Sequence, residues 1–198
     1  MSILVILAHP HPGSFNHAIA ATCLDALHST GRRVVFHDLY QESFDPVVAH
    51  AEIAIDAPLA PAVEAHCREL ASADGIVVIH PNWWGQPPAI LKGWIDRVVR
   101  PGVAYRFLED DDGEGVPEGL LSASAALVFN TANTPPLRER EVFGDPLEAL
   151  WSKCIFGLCG VPRVERRAFA VVVTSTEERR RQWLREVWDL VTTTFPPL

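Results

Sequence analysis

Apolar residues gather in five short runs along the chain, at residues 3–8, 33–37, 75–80, 125–130 and 168–173. Four runs are nearly continuous in Val, Ile, Leu, Ala and Phe, as strands covered on both faces are; the second is mixed, which suits an edge. Between the runs, apolar positions recur at steps of three and four, the spacing of one helix face. Ile19, Cys23, Leu24 and Leu27 form the first such stripe, and Gly31 closes it as a C-terminal stop. Residues 60–72 carry Val63, Cys67 and Leu70, and residues 89–99 carry Leu91, Trp94, Ile95 and Val98 ahead of Pro101-Gly102. Leu147, Leu150, Trp151, Cys154 and Leu158 make a fourth stripe, and Trp183, Leu184, Val187 and Val191 a fifth, beginning near Glu177.

Strand and helix therefore alternate five times. That order predicts an α/β three-layer sandwich, a five-stranded parallel sheet with helices on both faces. The strand order 2-1-3-4-5, the flavodoxin-like one, is expected, with residues 1–198 as one domain. In such sheets ligands sit beyond the carboxyl ends of the strands where the order reverses, which singles out the loops at 9–16, 81–88 and 130–140.

Of the 198 residues, 48% are hydrophobic and 21% charged, enough for a packed core and unlike a disordered chain. Seventeen Lys and Arg against 25 Asp and Glu give −8, which argues against a nucleic-acid binder. No apolar run nears the ~20 residues of a membrane span. The N-terminus has no basic segment or cleavage site, so a cytoplasmic location is expected. Cys23, Cys67, Cys154 and Cys159 form no C-x-x-C pair and are expected as buried, reduced thiols with no metal. The acidic run at 109–114 and the basic Arg179-Arg180-Arg181 are expected as solvated surface.

The first loop, His9-Pro10-His11-Pro12-Gly13-Ser14-Phe15-Asn16, carries neither a dinucleotide fingerprint nor a P-loop. What it offers is a helix start with free N–H groups, where Ser14, Asn16 and the ring of His9 suit a single phosphate. The plainer alternative is that Ser14 or Asn16 only caps the helix and His9 bonds a carbonyl. In the next loop, His80-Pro81-Asn82-Trp83-Trp84-Gly85-Gln86-Pro87-Pro88, two successive Trp at a strand end are hard to place in a core. Aromatic walls beside backbone donors suit a flat heteroaromatic ligand; packing under helices or against a second subunit is the alternative. His80 itself reads as a core histidine with its bonds satisfied.

The stretch from Pro81 through Ala89-Ile90-Leu91-Lys92-Gly93-Trp94-Ile95-Asp96-Arg97-Val98 resembles the flavin loop and following helix of the NAD(P)H:quinone oxidoreductase family. That family has a flavodoxin-like fold and includes ancillary flavoproteins of potassium-efflux systems. Leu7-Ala8-His9 with Ser14-Phe15-Asn16 is similar to its phosphate loop, and Asp38-Leu39-Tyr40 to its second-strand exit. The resemblance implies a flavin, FMN rather than FAD because the chain lacks the longer members' C-terminal extension. His9, Ser14, Phe15 and Asn16 would surround the phosphate, and Pro81, Asn82, Trp83, Trp84 and Gly85 the ring, with Trp84 the foremost contact. Asn130, Thr131 and Asn133 match the third flavin loop. Tyr105 and Phe107 match the segment that roofs the substrate pocket from the partner of a homodimer. Phe143 stands where better-known members carry a histidine near the substrate carbonyl, so that residue's role does not transfer. The implied activity is ping-pong hydride transfer from NAD(P)H to a quinone or similar flat acceptor, carried by the flavin rather than by a side-chain nucleophile. A flavin-bound ancillary subunit touching a membrane transporter is the alternative.

Overall fold

A computed structural model describes residues 1–108 and 115–197; the acidic run at 109–114 lies outside the described residues. The main sheet contains β1 (Ser2–Leu7), β2 (Arg33–Asp38), β3 (Gly75–Pro81), β6 (Ala126–Ala132) and β7 (Val164–Ala170), while β4 (Tyr105–Arg106) and β5 (Glu118–Gly119) form a small antiparallel pair. The order in the main sheet is β2-β1-β3-β6-β7 and every pairing in it is parallel. That is the expected 2-1-3-4-5 arrangement once the small hairpin is set aside.

Successive side chains of a strand face opposite layers. Ile3, Val5 and Leu7 of β1 pack with Val77 and Ile79 of β3 beneath α1 (Phe15–Ser29) and α6 (Glu177–Thr194). Leu4 and Ile6 pack with Ile76 and Val78 on the other side, under α2 (Pro61–Ser72) and α3 (Ala89–Val98). This two-sided burial is why the first, third and fourth strands read as unbroken apolar runs.

The last strand departs from the expected 168–173. It spans Val164–Ala170, with Glu165, Arg166 and Arg167 directly after its first residue. As an edge strand it can carry charge, which also discourages pairing with another sheet. Arg167 donates to Glu186 on α6, and Arg166 reaches inward to partners described below. The fourth apolar stripe also differs. A short α4 (Pro136–Glu141) precedes α5 (Pro146–Ala149), which widens into a π-helical turn over Leu150–Ile155. The wider turn keeps Leu147, Trp151 and Ile155 inside but rotates Cys154 and Leu158 to the surface. Cys154 is thus exposed, whereas Cys23, Cys67 and Cys159 are buried as expected. Arg179 and Arg181 are exposed, but Arg180 is half-buried and donates to Ser175 Oγ and the Val172 carbonyl, tying the loop after β7. Among the described residues no helix is long and apolar enough to cross a membrane.

Two indole–imidazole pairs lie in the α2/α3 layer. Trp94 Nε1 donates to His66 Nδ1, and Trp151 Nε1 to His80 Nε2, both at 3.0 Å. His80 is fully buried and its Nδ1–H donates to the Pro81 carbonyl at 2.8 Å, so both ring nitrogens are committed in the neutral form. Burial pushes its pKa down to about 4. The unfolded chain, with an ordinary histidine near 6.5, then binds the proton more readily. The stabilisation is complete above pH 6.5 and is lost as pH falls toward 4. Urea unfolding should show a loss of about 2 kcal/mol from this residue between pH 7 and pH 5. His80→Gln, which keeps an acceptor for Trp151 but cannot titrate, should flatten that dependence.

Candidate functional site

The loops after β1, β3 and β6 converge at the carboxyl edge of the sheet. At the first, Ser14 is the N-cap of α1, in extended conformation, and its Oγ accepts from the His17 N–H. The helix N–H groups of Phe15 and Asn16 have no acceptor among the described residues, and the first turn carries no acidic residue. The loop is set to receive an anion. His9 Nδ1 accepts from the His11 N–H at 3.1 Å, which leaves the proton of the neutral ring on Nε2. Burial holds His9 below its ordinary pKa.

Sequence reasoning missed a chain of polar contacts behind this loop. Ser14 Oγ lies 2.9 Å from His17 Nδ1, and His17 Nε2 lies 3.1 Å from Asp38 Oδ2. A carboxylate only accepts, so His17 gives its Nε2 proton to Asp38. The serine hydroxyl caps a helix here and binds the far ring nitrogen, so the trio holds the loop rather than presenting a nucleophile. Residues 17 and 38 are 21 apart in the chain and meet only because β1 and β2 pair.

Asn16 is 2% exposed; its Nδ2 donates to Thr131 Oγ1 at 2.9 Å, and its Oδ1 is buried without a partner. An orphaned buried acceptor is costly and marks a place that a ligand's donor would complete. Here the loops after β1 and β6 are tied together. His9, Ser14, Phe15, Asn16, Pro81, Asn82, Trp83, Thr131 and Asn133 all line one cavity of about 330 Å3.

The loop after β3 explains the double indole. Trp83 and Gln86 exchange backbone hydrogen bonds at 3.0 Å in each direction, closing a two-residue turn. Trp84 takes φ +58° and Gly85 φ +73°, the left-handed pair of a type I′ turn, which favours Asn-Gly. A tryptophan in that conformation is strained by about 1–3 kcal/mol. The result is an indole standing wholly in solvent, 101% exposed, while Trp83 is half-covered beside His9, with ring centroids 6.3 Å apart. Neither indole is in the core. Asn82 holds the turn: its Oδ1 accepts from the Gly85 N–H at 2.9 Å and its Nδ2 donates to Glu139 Oε1 at 3.0 Å.

Trp84, Glu139, Phe143 and Pro146 line a second cavity of about 550 Å3, which shares Asn82 and Thr134 with the first. Asn130 faces elsewhere. It is buried, its Oδ1 accepts from Arg166 Nη1, and it lines a third cleft of about 240 Å3 with Asp145 and Arg166. Arg166 also donates to Asp145 and Glu148. Tyr105 and Phe107 pack edge to face, 5.7 Å apart, and line none of these three cavities. Phe107 is 54% exposed.

One further cluster brings His37, Glu42 and His66 within metal-ligand distance of one another. The Trp94 indole donates to His66 Nδ1, so Nε2 of the neutral ring carries the proton and has no lone pair for an ion. His37 instead bridges Glu42 and Glu69 through its two nitrogens.

Comparison with known proteins follows the same lines. Residues 1–190 match the family model described as "Flavodoxin-like fold". An "Uncharacterized NAD(P)H oxidoreductase" of Haemophilus influenzae is 31% identical over 91% of this chain and 89% of its own length. The crystal structure of Smu.1420 from Streptococcus mutans UA159 superposes with a TM-score of 0.83 at 29% identity, over 98% of this chain and 100% of the other. An NAD(P)H:quinone oxidoreductase from Methanothermobacter marburgensis gives 0.79 at 25% identity, over 96% and 95%. Sheet order, loop motifs and relatives agree, and the chain belongs to the NAD(P)H:quinone oxidoreductase family of flavodoxin-like proteins.

Proposed function

We propose that this chain binds FMN in the 330 Å3 cavity and moves two electrons from NAD(P)H to a quinone or similar flat acceptor. The observation that carries this reading is the strained turn at Trp84, which holds a large aromatic surface in solvent next to a ready anion site. When bound, the flavin supplies the hydride chemistry; the chain's residues bind, orient and shield.

In this reading the free N–H groups of Phe15 and Asn16, with Ser14 and His9 Nε2–H, hold the phosphate. A single such cradle at the α1 terminus suits a mononucleotide, and FAD is the lesser fit. Asn16 Oδ1 gains a donor from the cofactor. Thr131, Asn133, Pro81, Asn82 and Trp83, which line the same cavity, would hold the ring. In the turn the Gly85 and Gln86 N–H groups are taken by Asn82 Oδ1 and the Trp83 carbonyl, and the Trp84 N–H, without an acceptor among the described residues, is the donor left to stabilise negative charge that gathers on reduction. Donor and acceptor use the 550 Å3 cavity in turn, the ping-pong order. Asn130 acts indirectly, through Arg166. Tyr105 and Phe107, which line none of the three cavities described above, serve the site of a second copy in a homodimer.

Two measurements test the reading. The FMN-loaded protein should oxidise NAD(P)H with menadione under steady-state conditions and give parallel double-reciprocal lines; no turnover contradicts it. Trp84→Gly should relieve the backbone and raise stability by about 1 kcal/mol while lowering turnover. A variant that gains stability and keeps full turnover would remove the functional reason for the strained indole.

A further inference from the structure

The 550 Å3 cavity contains one charged side chain, Glu139. It is 9% exposed, held through Oε1 by Asn82, and makes no ion pair among the described residues. A carboxylate drawn this far from water without a counter-charge is stabilised by any cation that enters beside it. The same lining carries Trp84 and Phe143, aromatic rings whose faces attract cations. The Arg138 guanidinium already lies over Phe143, 5.5 Å from its centroid. Glu139 also lines the adjacent cleft, where Arg140, Arg166 and Arg167 lie, but none of these pairs with it: Arg166 is committed to Asp145 and Glu148, and Arg167 to Glu186. The chain's charge of −8 draws cations toward it.

The cavity is also poor in acids. Phe143 offers no proton, and Glu139 is the one titratable group on the lining. Reduction of a neutral quinone takes a hydride and then a proton. An aromatic cation such as a phenothiazinium needs the hydride alone. NAD(P)H gives up the hydride from its C4–H bond and becomes NAD(P)+; an N–H or C–H bond forms on the acceptor, whose ring becomes neutral. Charge balances with no proton donor, since NAD(P)H and a cation give NAD(P)+ and a neutral product. That product no longer attracts Glu139 and is free to leave.

We propose that this cavity selects flat aromatic cations as electron acceptors, with Glu139 as the residue that sets the preference. The proposal rests on the oxidoreductase reading above and is tested apart from it. Methylene blue, a cation, is titrated without reductant into the oxidised FMN-loaded protein and into Glu139→Gln, which keeps an acceptor for Asn82. The variant should bind it about tenfold more weakly, and Glu139→Asp, which keeps the charge, should stay near the wild type. With NAD(P)H present, Glu139→Gln should lower kcat/KM for methylene blue by a similar factor. It should raise kcat/KM for the anionic dye 2,6-dichlorophenolindophenol. Equal methylene blue binding by wild type and Glu139→Gln overturns the proposal, even if menadione is reduced well. A clear binding difference with no NAD(P)H oxidation by any acceptor removes the redox reading and the acceptor role with it, leaving only a cation site.

Discussion

Asn82→Leu should weaken FMN binding about a hundredfold while leaving the protein folded. Leucine is close to asparagine in size but supplies neither the acceptor for the Gly85 N–H nor the donor to Glu139. Each lost bond leaves a partner unpaired, and the one to a carboxylate is worth about 1.5–3 kcal/mol. The turn at Trp84 and Gly85 is strained and is then held only by the Trp83–Gln86 backbone pair, so it relaxes toward an ordinary conformation and carries the Trp84 N–H and indole out of place. A hundredfold corresponds to about 2.7 kcal/mol. The check is a titration with FMN followed by tryptophan fluorescence, with the urea midpoint measured alongside. Unchanged affinity would mean that the turn does not position the cofactor.

Gly93→Ala should destabilise the protein strongly, although it adds a single methyl to a helix. Alanine is the better helix former by about 1 kcal/mol, so propensity alone predicts a gain. The structure reverses the sign. A Cβ at Gly93 would lie 2.2 Å from the Pro46 carbonyl oxygen, 2.3 Å from its Cβ and 2.4 Å from its Cα. Backbone cannot swing aside, so the loop after β2 must move away from α3. That loop is fastened by Arg97, whose Nη1 donates to the Asp45 carbonyl and whose Nε donates to Glu52 Oε2 at 2.9 Å. Arg97 and Glu52 are both buried, and the guanidinium holds the Glu52 carboxyl below the usual range. Separating a buried pair costs about 3–5 kcal/mol. A loss on the order of 4 kcal/mol is expected in urea or thermal unfolding. A loss under about 1 kcal/mol would show that the loop yields without breaking the pair.

The sheet could be read from the chain because burial on both sides forces continuous apolar sequence, as in residues 75–80 and 125–130. The same rule fails at an edge. Glu165, Arg166 and Arg167 lie within β7, where one flank is open and each charge finds a partner outside the sheet. The stripe through Cys154 and Leu158 was misplaced for a different reason, since a π turn shifts the helical period and no residue type announces it. The three ligand loops followed from topology alone. Most of the residues expected in them do gather on one cavity, although Trp84, expected as the foremost ring contact, and Gly85 line the neighbouring one, Asn130 turns away, and the two partner-facing aromatics stand apart. What sequence did not reveal are contacts made by distant pairing: Asn82 with Glu139 is 57 positions apart, and Asn130 with Arg166 is 36. Nor does Trp-Gly signal a type I′ turn, because tryptophan has no preference for positive φ. Glu139 falls within the 130–140 segment that topology singles out, but its six-residue helix, Pro-Leu-Arg-Glu-Arg-Glu, gives no sign of which acid is buried.

The central claim is that three loops at the carboxyl edge of this sheet form a flavin site, and direct titration of the purified protein with FMN and FAD tests it most sharply. The account predicts yellow protein, quenching of the indoles near the site and saturation at one FMN per chain, with a Kd of about a micromolar or tighter. Colourless protein whose fluorescence is unmoved by either flavin at about a hundred times that concentration would contradict it.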